Sequence, residues 1–357
     1  MKGSTLHHET SRRDWLKAAG LAIGAGVIGG CATAQSSPAA SSPQSPSPVE
    51  HALPPRKHSG TIRVAHLTDF HVQPELDAPR GMAKCLHHAQ SRKPDLIINT
   101  GDCVMNTLHV DRARAQVQWD IWNRVLKNEC STPIAHCLGN HDIWGWAKDA
   151  SHTTGAEPGW GKKWALDALG LSKPYHAFDY GAWRFIMLDS VQPAPEGLWY
   201  TKIDDEQFAW LEQELAATRK PVFIGSHVPI VSPAVWLDPG RIAGTPDAPA
   251  VAVRRVHVDC KRIGALFAKH PNVKLCVSGH LHEVDRADFM GVTYLNNPAV
   301  CGDWWKGLHR GVFGEMYTLL DLHPDGTFDY ERIDYGWTPV PAPATQPGTA
   351  ATRSMDT

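Results

Sequence analysis

Ile134-Ala135-His136-Cys137-Leu138-Gly139-Asn140-His141-Asp142 is the stretch from which the rest of the chain can be read. Its apolar half has the length and composition of a short buried strand. Its polar half sets an amide, an imidazole and a carboxylate in a row directly after a glycine. Such groups pack poorly but serve a site well, and scaffolds present them where a strand runs out into a loop. Four other apolar runs end in the same manner: residues 64–68 lead to Asp69 and His71, 96–100 to Gly101 and Asp102, 222–226 to His227, and 273–278 to Gly279, His280 and His282. Five strand ends thus carry groups that bind hard or borderline metal ions.

Working outward, the 357 residues, 42% hydrophobic and 20% charged, are enough to bury a substantial core in one large domain or two small ones. A formal net charge of −2 supplies no basic excess to hold a phosphate backbone, so no stable nucleic-acid partner is expected. From Thr61 short apolar runs alternate with helical patterns. Residues 81–92 and 112–127 place apolar side chains at helical spacing, and 204–218 does so with acids in its first turn, where the helix dipole favours them. Residues 175–180 and 183–188 flank Gly181 and Ala182 as a hairpin, while 286–295, 316–322 and 327–333 read as strands of a mixed or antiparallel sheet. The architecture expected is layered α/β (α+β), sheets inside and helices outside. Two segments, 143–172 and 231–254, leave directly from ligand-bearing strand ends and are expected to overhang the site. The four tryptophans of the first, Trp144, Trp146, Trp160 and Trp164, read as packing residues.

The amino terminus reads as an address. Ser11-Arg12-Arg13-Asp14-Trp15-Leu16-Lys17 is a twin-arginine pattern, followed by a glycine-rich apolar stretch over 18–32. That stretch is shorter than the roughly 18 to 20 residues of a spanning helix. Residues 1–34 are therefore assigned as an export signal, with the twin-arginine translocase as partner and, as destination, the periplasm or a membrane anchorage on the extracytoplasmic side. Ala32-Thr33-Ala34 fits a cleavage site, whereas Ile28-Gly29-Gly30-Cys31 fits a lipobox that would acylate Cys31 and anchor the chain to the membrane. The Ser, Pro and Ala of 35–58 suit a tether, which favours the lipoprotein. The folded domain is expected over 59–336 and a disordered Pro/Ala-rich tail over 337–357. Eight cysteines, seven once Cys31 is set aside, show no paired spacing, so buried free thiols are expected in place of a disulfide framework or a zinc ribbon.

The chemistry follows from residue types. Asp69 and His71 can share one ion if the strand end turns, Asp102 can bridge to a second, and Asn140, His227 and His280, with His282 two residues on, add a neutral oxygen and imidazoles. A mixture of carboxylate and imidazole suits Fe, Mn or Zn, while Mg and Ca prefer oxygen alone. Two ions roughly 3.5 to 4 Å apart can grip both ends of a phosphate ester and convert a bridging water to hydroxide at neutral pH. Asp69 with His71, or Gly101 with Asp102, would alone be ordinary turns. Their recurrence at five strand ends carries the reading. His66, His136, His257 and His270 are read as core or surface histidines.

These five junctions, in this order, resemble the signature motifs of the calcineurin-like metallophosphoesterases over residues 61–305. The resemblance implies a four-layer sandwich of two mixed β-sheets flanked by helices, with the site at strand carboxyl ends. It implies that Asp69, His71, Asp102 and His282 hold one ion and that Asp102, Asn140, His227 and His280 hold the other. His141 would assist the leaving group, with Asp142 orienting it. Residues 296–307 resemble the bacterial branch related to cyclic-nucleotide phosphodiesterases, which makes Trp304 and Trp305 candidates for a substrate-stacking wall. The function expected is a dinuclear-metal phosphoesterase that hydrolyses a phosphodiester or small phosphomonoester by attack of a metal-bridging hydroxide, with 3',5'-cyclic nucleotides among the candidate substrates. The alternatives are an extracytoplasmic nucleotidase or pyrophosphatase, and a binding protein that keeps the ions without turnover.

Overall fold

The computed structural model describes residues 60–194, 198–237, 242–245 and 248–340. The signal assigned to 1–34, with Cys31, and the tether assigned to 35–58 lie outside the described residues, as do residues 341–357 of the tail. In chain order the elements are β1 (Ile62–Leu67), α1 (Ala78–Ser91), β2 (Leu96–Asn99), α2 (Arg112–Glu129), β3 (Ile134–His136), α3 (Lys148–Ser151), α4 (Lys163–Leu169), β4 (His176–Tyr180), β5 (Trp183–Met187), β6 (Val191–Pro193) and β7 (Trp199–Thr201). They continue as α5 (Asp205–Ala217), β8 (Val222–Gly225), β9 (Ile242–Thr245), β10 (Ala248–Val251), α6 (Cys260–Phe267), β11 (Val273–Ser278), β12 (Asp285–Phe289), β13 (Val292–Asn296), β14 (Met316–Leu322) and β15 (Phe328–Asp334).

Two mixed sheets dominate. One has the order β15-β14-β1-β2-β3 and the other β12-β13-β11-β8-β5-β4. In the first, β1, β2 and β3 are parallel and β14 and β15 close the edge antiparallel; in the second, β5, β8, β11 and β13 are parallel. Period-two alternation explains the layering. Along β1, Ile62 and Val64 enter the core between the sheets with Ile98, Phe185, Phe223, Val277 and Leu320, whereas Ala65 and Leu67 face the layer of α1 and α2. The second sheet buries Ile224 and Cys276 against Leu211 and Leu215 of α5 and Ile263 and Phe267 of α6. The result is helix, sheet, sheet, helix. Helices α2 and α5 start where aspartates cap them: Asp111 accepts from Arg114 N at 2.8 Å and Asp204 from Gln207 N at 2.7 Å.

Three boundaries move. Helix α1 starts at Ala78, three residues earlier than its apolar spacing indicates, because Pro79 is tolerated in a first turn that needs no amide donor. The single strand expected over 286–295 is the hairpin β12–β13, turned at Met290 and Gly291, both with positive φ (52° and 83°). The tail does not begin at 337: Trp337 is buried, with its ring 5.6 Å from that of Trp305. Its composition resembles a linker only after this tryptophan.

Candidate metal centre

The site residues follow the carboxyl ends of β1, β2, β3, β8 and β11. Five of them sit in left-handed backbone: Asp69 (φ 55°), His71 (41°), Asp102 (52°), His280 (70°) and His282 (55°). Each such conformation costs a non-glycine residue on the order of 1 kcal/mol and persists only where neighbours hold it. The neighbours here are one another. Asp69 N donates to Gly101 O at 3.0 Å, His71 N to Asp102 O at 2.9 Å, His280 N to Asp69 Oδ2 at 3.0 Å and His141 N to Asp102 Oδ1 at 2.8 Å. Gly139 lets the β2 and β3 loops meet, since a Cβ there would lie 2.1 Å from Asp102 Oδ1.

Asp102 stands in the middle. Its Oδ2 lies 3.5 Å from His71 Nε2 and 3.2 Å from His227 Nε2. On one side His282 Nε2 is 3.5 Å from Asp69 Oδ1 and 3.1 Å from His71 Nε2. On the other, Asn140 Oδ1 is 3.1 Å from His227 Nε2, and the ring of His280 is 5.0 Å from that of His227. The structure thus brings all seven candidate ligands around two half-sites that share one carboxylate.

The outer nitrogens determine which way each ring faces. Nδ1 of His71, His227 and His282 meets a backbone carbonyl (Met105, Thr100 and Gly302). A carbonyl can only accept, so Nδ1 carries a proton and Nε2 faces inward as the atom that can ligate. His280 is reversed: Nε2 donates to Arg254 O at 2.7 Å, which leaves Nδ1 for the site. His71 Nε2 and His282 Nε2 lie 3.1 Å apart, near enough to share one proton in the ion-free protein or to hold one cation between them, and beside them the carboxylates of Asp69 and Asp102 are buried with imidazoles as their ion-pair partners. The donor set therefore fits two transition-metal ions. Burial pushes the pKa of His71 and of His280 down to about 3, which keeps both rings in the neutral form that ligates. Burial also opposes a charge on His227, but the Asp102 carboxylate outweighs it and lifts that pKa to about 9 in the ion-free protein.

His141 and Asp142 divide their labour differently from the sequence expectation. His141 Nδ1 donates to Met105 O at 2.7 Å, so a backbone carbonyl orients this ring, and the ring stands edge-on to His71 at 4.7 Å. Asp142 does not touch it. The Asp142 carboxylate accepts from the amides of Gly139, Asp102, Cys103 and Val104 at 2.8 to 3.3 Å and ties the β2 loop to the β3 loop. It is a positioning residue, placed too deep to reach the reacting atoms. Burial and the neighbouring Asp102 push its pKa up to about 7.

The tryptophan pair also separates. The ring of Trp304, half-buried, lies 4.6 Å from that of His282 and 5.9 Å from that of His71, at the mouth of the site. Trp305 is fully buried and forms no substrate wall: its ring fills the notch that Gly81 leaves in α1, and its Nε1 donates to Phe70 O at 3.0 Å. W305A is expected to destabilise the domain by about 3–5 kcal/mol, as deletion of a buried tryptophan does, whereas W304A leaves stability within about 1 kcal/mol and raises KM. Urea unfolding beside steady-state kinetics checks both, and equal destabilisation by the two would remove the distinction.

Trp144 and Trp164 pack edge-to-face at 5.1 Å with the Arg112 guanidinium over both, in keeping with a packing role. His66, His136 and His257 are buried and hydrogen-bonded in the core, whereas His270 is half-buried at the end of α6. Spacing gave no hint of three further neighbours of the site. Arg254 reaches it through its carbonyl, His109 lies near enough to His141 and Arg254 for both to disfavour its charge, and Cys301 lies beside His71 and His282.

Residues 62–284 match the model of the family described as calcineurin-like phosphoesterase. A 3',5'-cyclic adenosine monophosphate phosphodiesterase of Escherichia coli is 26% identical over 173 residues, 47% of this chain and 56% of the relative, so the match spans about half of that protein's length. A probable cyclic nucleotide phosphodiesterase of a Synechococcus species is 24% identical over 277 residues, 75% of this chain and 90% of the relative. Among solved structures, a dimetal phosphatase of Danio rerio aligns with a TM-score of 0.49 at 12% identity, over 74% of this chain and 93% of that one. With the family model covering most of the described domain and the five strand-end junctions converging on one centre, the chain belongs to the calcineurin-like phosphoesterase family.

Proposed function

We propose that this protein hydrolyses phosphate esters, diesters foremost, at a centre of two metal ions. The observation that carries this reading is the reach of a single carboxylate oxygen, Asp102 Oδ2, to both His71 and His227. The residues on either side of Asp102 would hold two ions, which when bound would supply a nucleophile at neutral pH and neutralise charge on the phosphate oxygens. His141, oriented by Met105 O, turns Nε2 to the site and donates a proton to the departing oxygen. Asp142 keeps the two loops in register, and the buried polar groups behind Asp69, among them Thr68 Oγ1 at 2.7 Å from Asp69 Oδ2, keep that carboxylate aimed. Trp304 offers an aromatic face beside the centre, which suits a base or aryl group on the ester. Together with the names of the relatives, this favours cyclic nucleotides as substrates.

The test is hydrolysis of bis-p-nitrophenyl phosphate, p-nitrophenyl phosphate and 3',5'-cyclic AMP by protein reconstituted with Mn, Zn or Fe, with bound metal quantified. Two ions per chain and turnover of the diesters are expected. Turnover of nucleoside monophosphates or pyrophosphate alone would favour a nucleotidase or pyrophosphatase, and bound metal without any turnover a binding protein. The Arg12-Arg13 pair and the apolar stretch after it support export through the twin-arginine translocase. Intact mass of the mature chain tests the anchor: an unmodified chain beginning at Gln35 would overturn acylation of Cys31.

A further inference from the structure

Cys301 has no part in the reading above, yet it is fully buried at the centre. Its peptide is tied to two ligands: Cys301 N donates to Asp69 O at 3.2 Å, and the carbonyl of the next residue, Gly302, accepts from His282 Nδ1 at 2.7 Å. Its Sγ and the ring nitrogens of His71 and His282 all lie within 4.8 Å of one another. Ligand atoms about 2.0–2.3 Å from one ion fall within about 4.6 Å of each other, so these three atoms need move only slightly to surround a shared metal. The thiol's hydrogen bond to Gly302 O is long, at 3.8 Å. The two imidazoles beside it each have Nδ1 engaged by a carbonyl, which leaves Nε2 as the atom that can ligate. Cys301 shares its apolar cluster with Cys85 and Cys103, and Cys137 and Cys276 lie in two others, but among the described residues Cys301 is the cysteine whose Sγ falls within 4.8 Å of ring nitrogens of two candidate ligands.

We propose that Cys301 is a thiolate ligand of the ion held by Asp69, His71 and His282, its proton passing to solvent on binding. The inference rests on the two-ion reading and makes the centre asymmetric. A sulfur donor on one side only favours Zn or Fe(II) there over Mn, which prefers oxygen, while the Asn140, His227 and His280 side keeps nitrogen and oxygen donors. Three residues on from Cys301, the ring of Trp304 lies 4.6 Å from that of His282, tilted by 33°, so the segment after β13 brings both Cys301 and Trp304 to the same half-site.

The full-length protein is to be stripped of metal, loaded with Co(II), and its bound cobalt counted beside its absorption spectrum. A thiolate-to-cobalt charge-transfer band in the near ultraviolet is expected in the wild type and in C276S, and its loss in C301S. Zinc-loaded wild type is expected to show a sulfur neighbour at about 2.3 Å by X-ray absorption. The C301S variant should bind zinc at least about tenfold more weakly with little change for manganese. Two cobalt ions per chain without the band, or a zinc spectrum without sulfur, would overturn the proposal and leave the two-ion reading standing. Failure of the wild type to bind cobalt or zinc at all would overturn both. The wild-type measurements decide the matter even if C301S does not fold.

Discussion

Asp102→Asn is expected to reduce bound metal from two ions per chain to one or none and to lower kcat by at least about 10³-fold, more than the loss of a single transition-state donor. The reason is geometric. One oxygen of Asp102 serves both half-sites, while the other accepts from His141 N, so a single change strikes both ions and the loop that carries the acid. Asparagine keeps the volume and one acceptor, so the fold should survive. In the ion-free protein the substitution also removes the carboxylate that lifts the His227 pKa from 6.5 to about 9. A histidine with a raised folded-state pKa stabilises the fold fully below its unfolded value and ceases to do so as pH rises through the folded one. Ion-free wild type should therefore lose stability between about pH 6.5 and 9, and D102N should lose less. Metal quantification, ester hydrolysis and urea titrations across that range check these outcomes. Two ions and near wild-type turnover in D102N would remove Asp102 from its shared role.

His141→Ala is expected to keep two ions and to lower kcat by about 10² to 10⁴, the usual range for loss of a positioned proton donor. Alanine retains the backbone amide that donates to Asp102 Oδ1 and the carbonyl that accepts from Thr107 N and Oγ1, so the loop geometry does not depend on the imidazole. The deficit should grow with the basicity of the leaving group: small for nitrophenyl esters, which depart as stable anions, and large for alkyl or ribosyl esters. Rates over a series of leaving groups at fixed pH measure this dependence. A loss of the same size for every ester, or loss of an ion from the variant, would assign His141 a structural role instead.

Much of this centre is legible in the amino-acid sequence. A short apolar run such as residues 64–68 marks a strand buried on both faces, and five such runs ending in metal-binding groups restrict where the chemistry can be. The strands of the 286–295 region were harder to read, because the turn at Met290-Gly291 interrupts an otherwise continuous pattern. Trp304 and Trp305 are chemically identical neighbours. Nothing in their order reveals that one fills the notch at Gly81 while the other faces the imidazoles.

By itself the sequence determined the layered class, the seven candidate ligands and their order, because residue type and period are local properties that a chain carries openly. Only the tertiary structure decided which nitrogen of each histidine faces inward, that Met105 and not Asp142 orients His141, and that Cys301 reaches the centre from more than two hundred residues beyond Asp69. These outcomes depend on carbonyls and left-handed backbone brought together by packing of distant segments. Asp69, His71, Asp102, His280 and His282 hold that backbone because they hold one another, a mutual constraint that no single stretch of the chain contains.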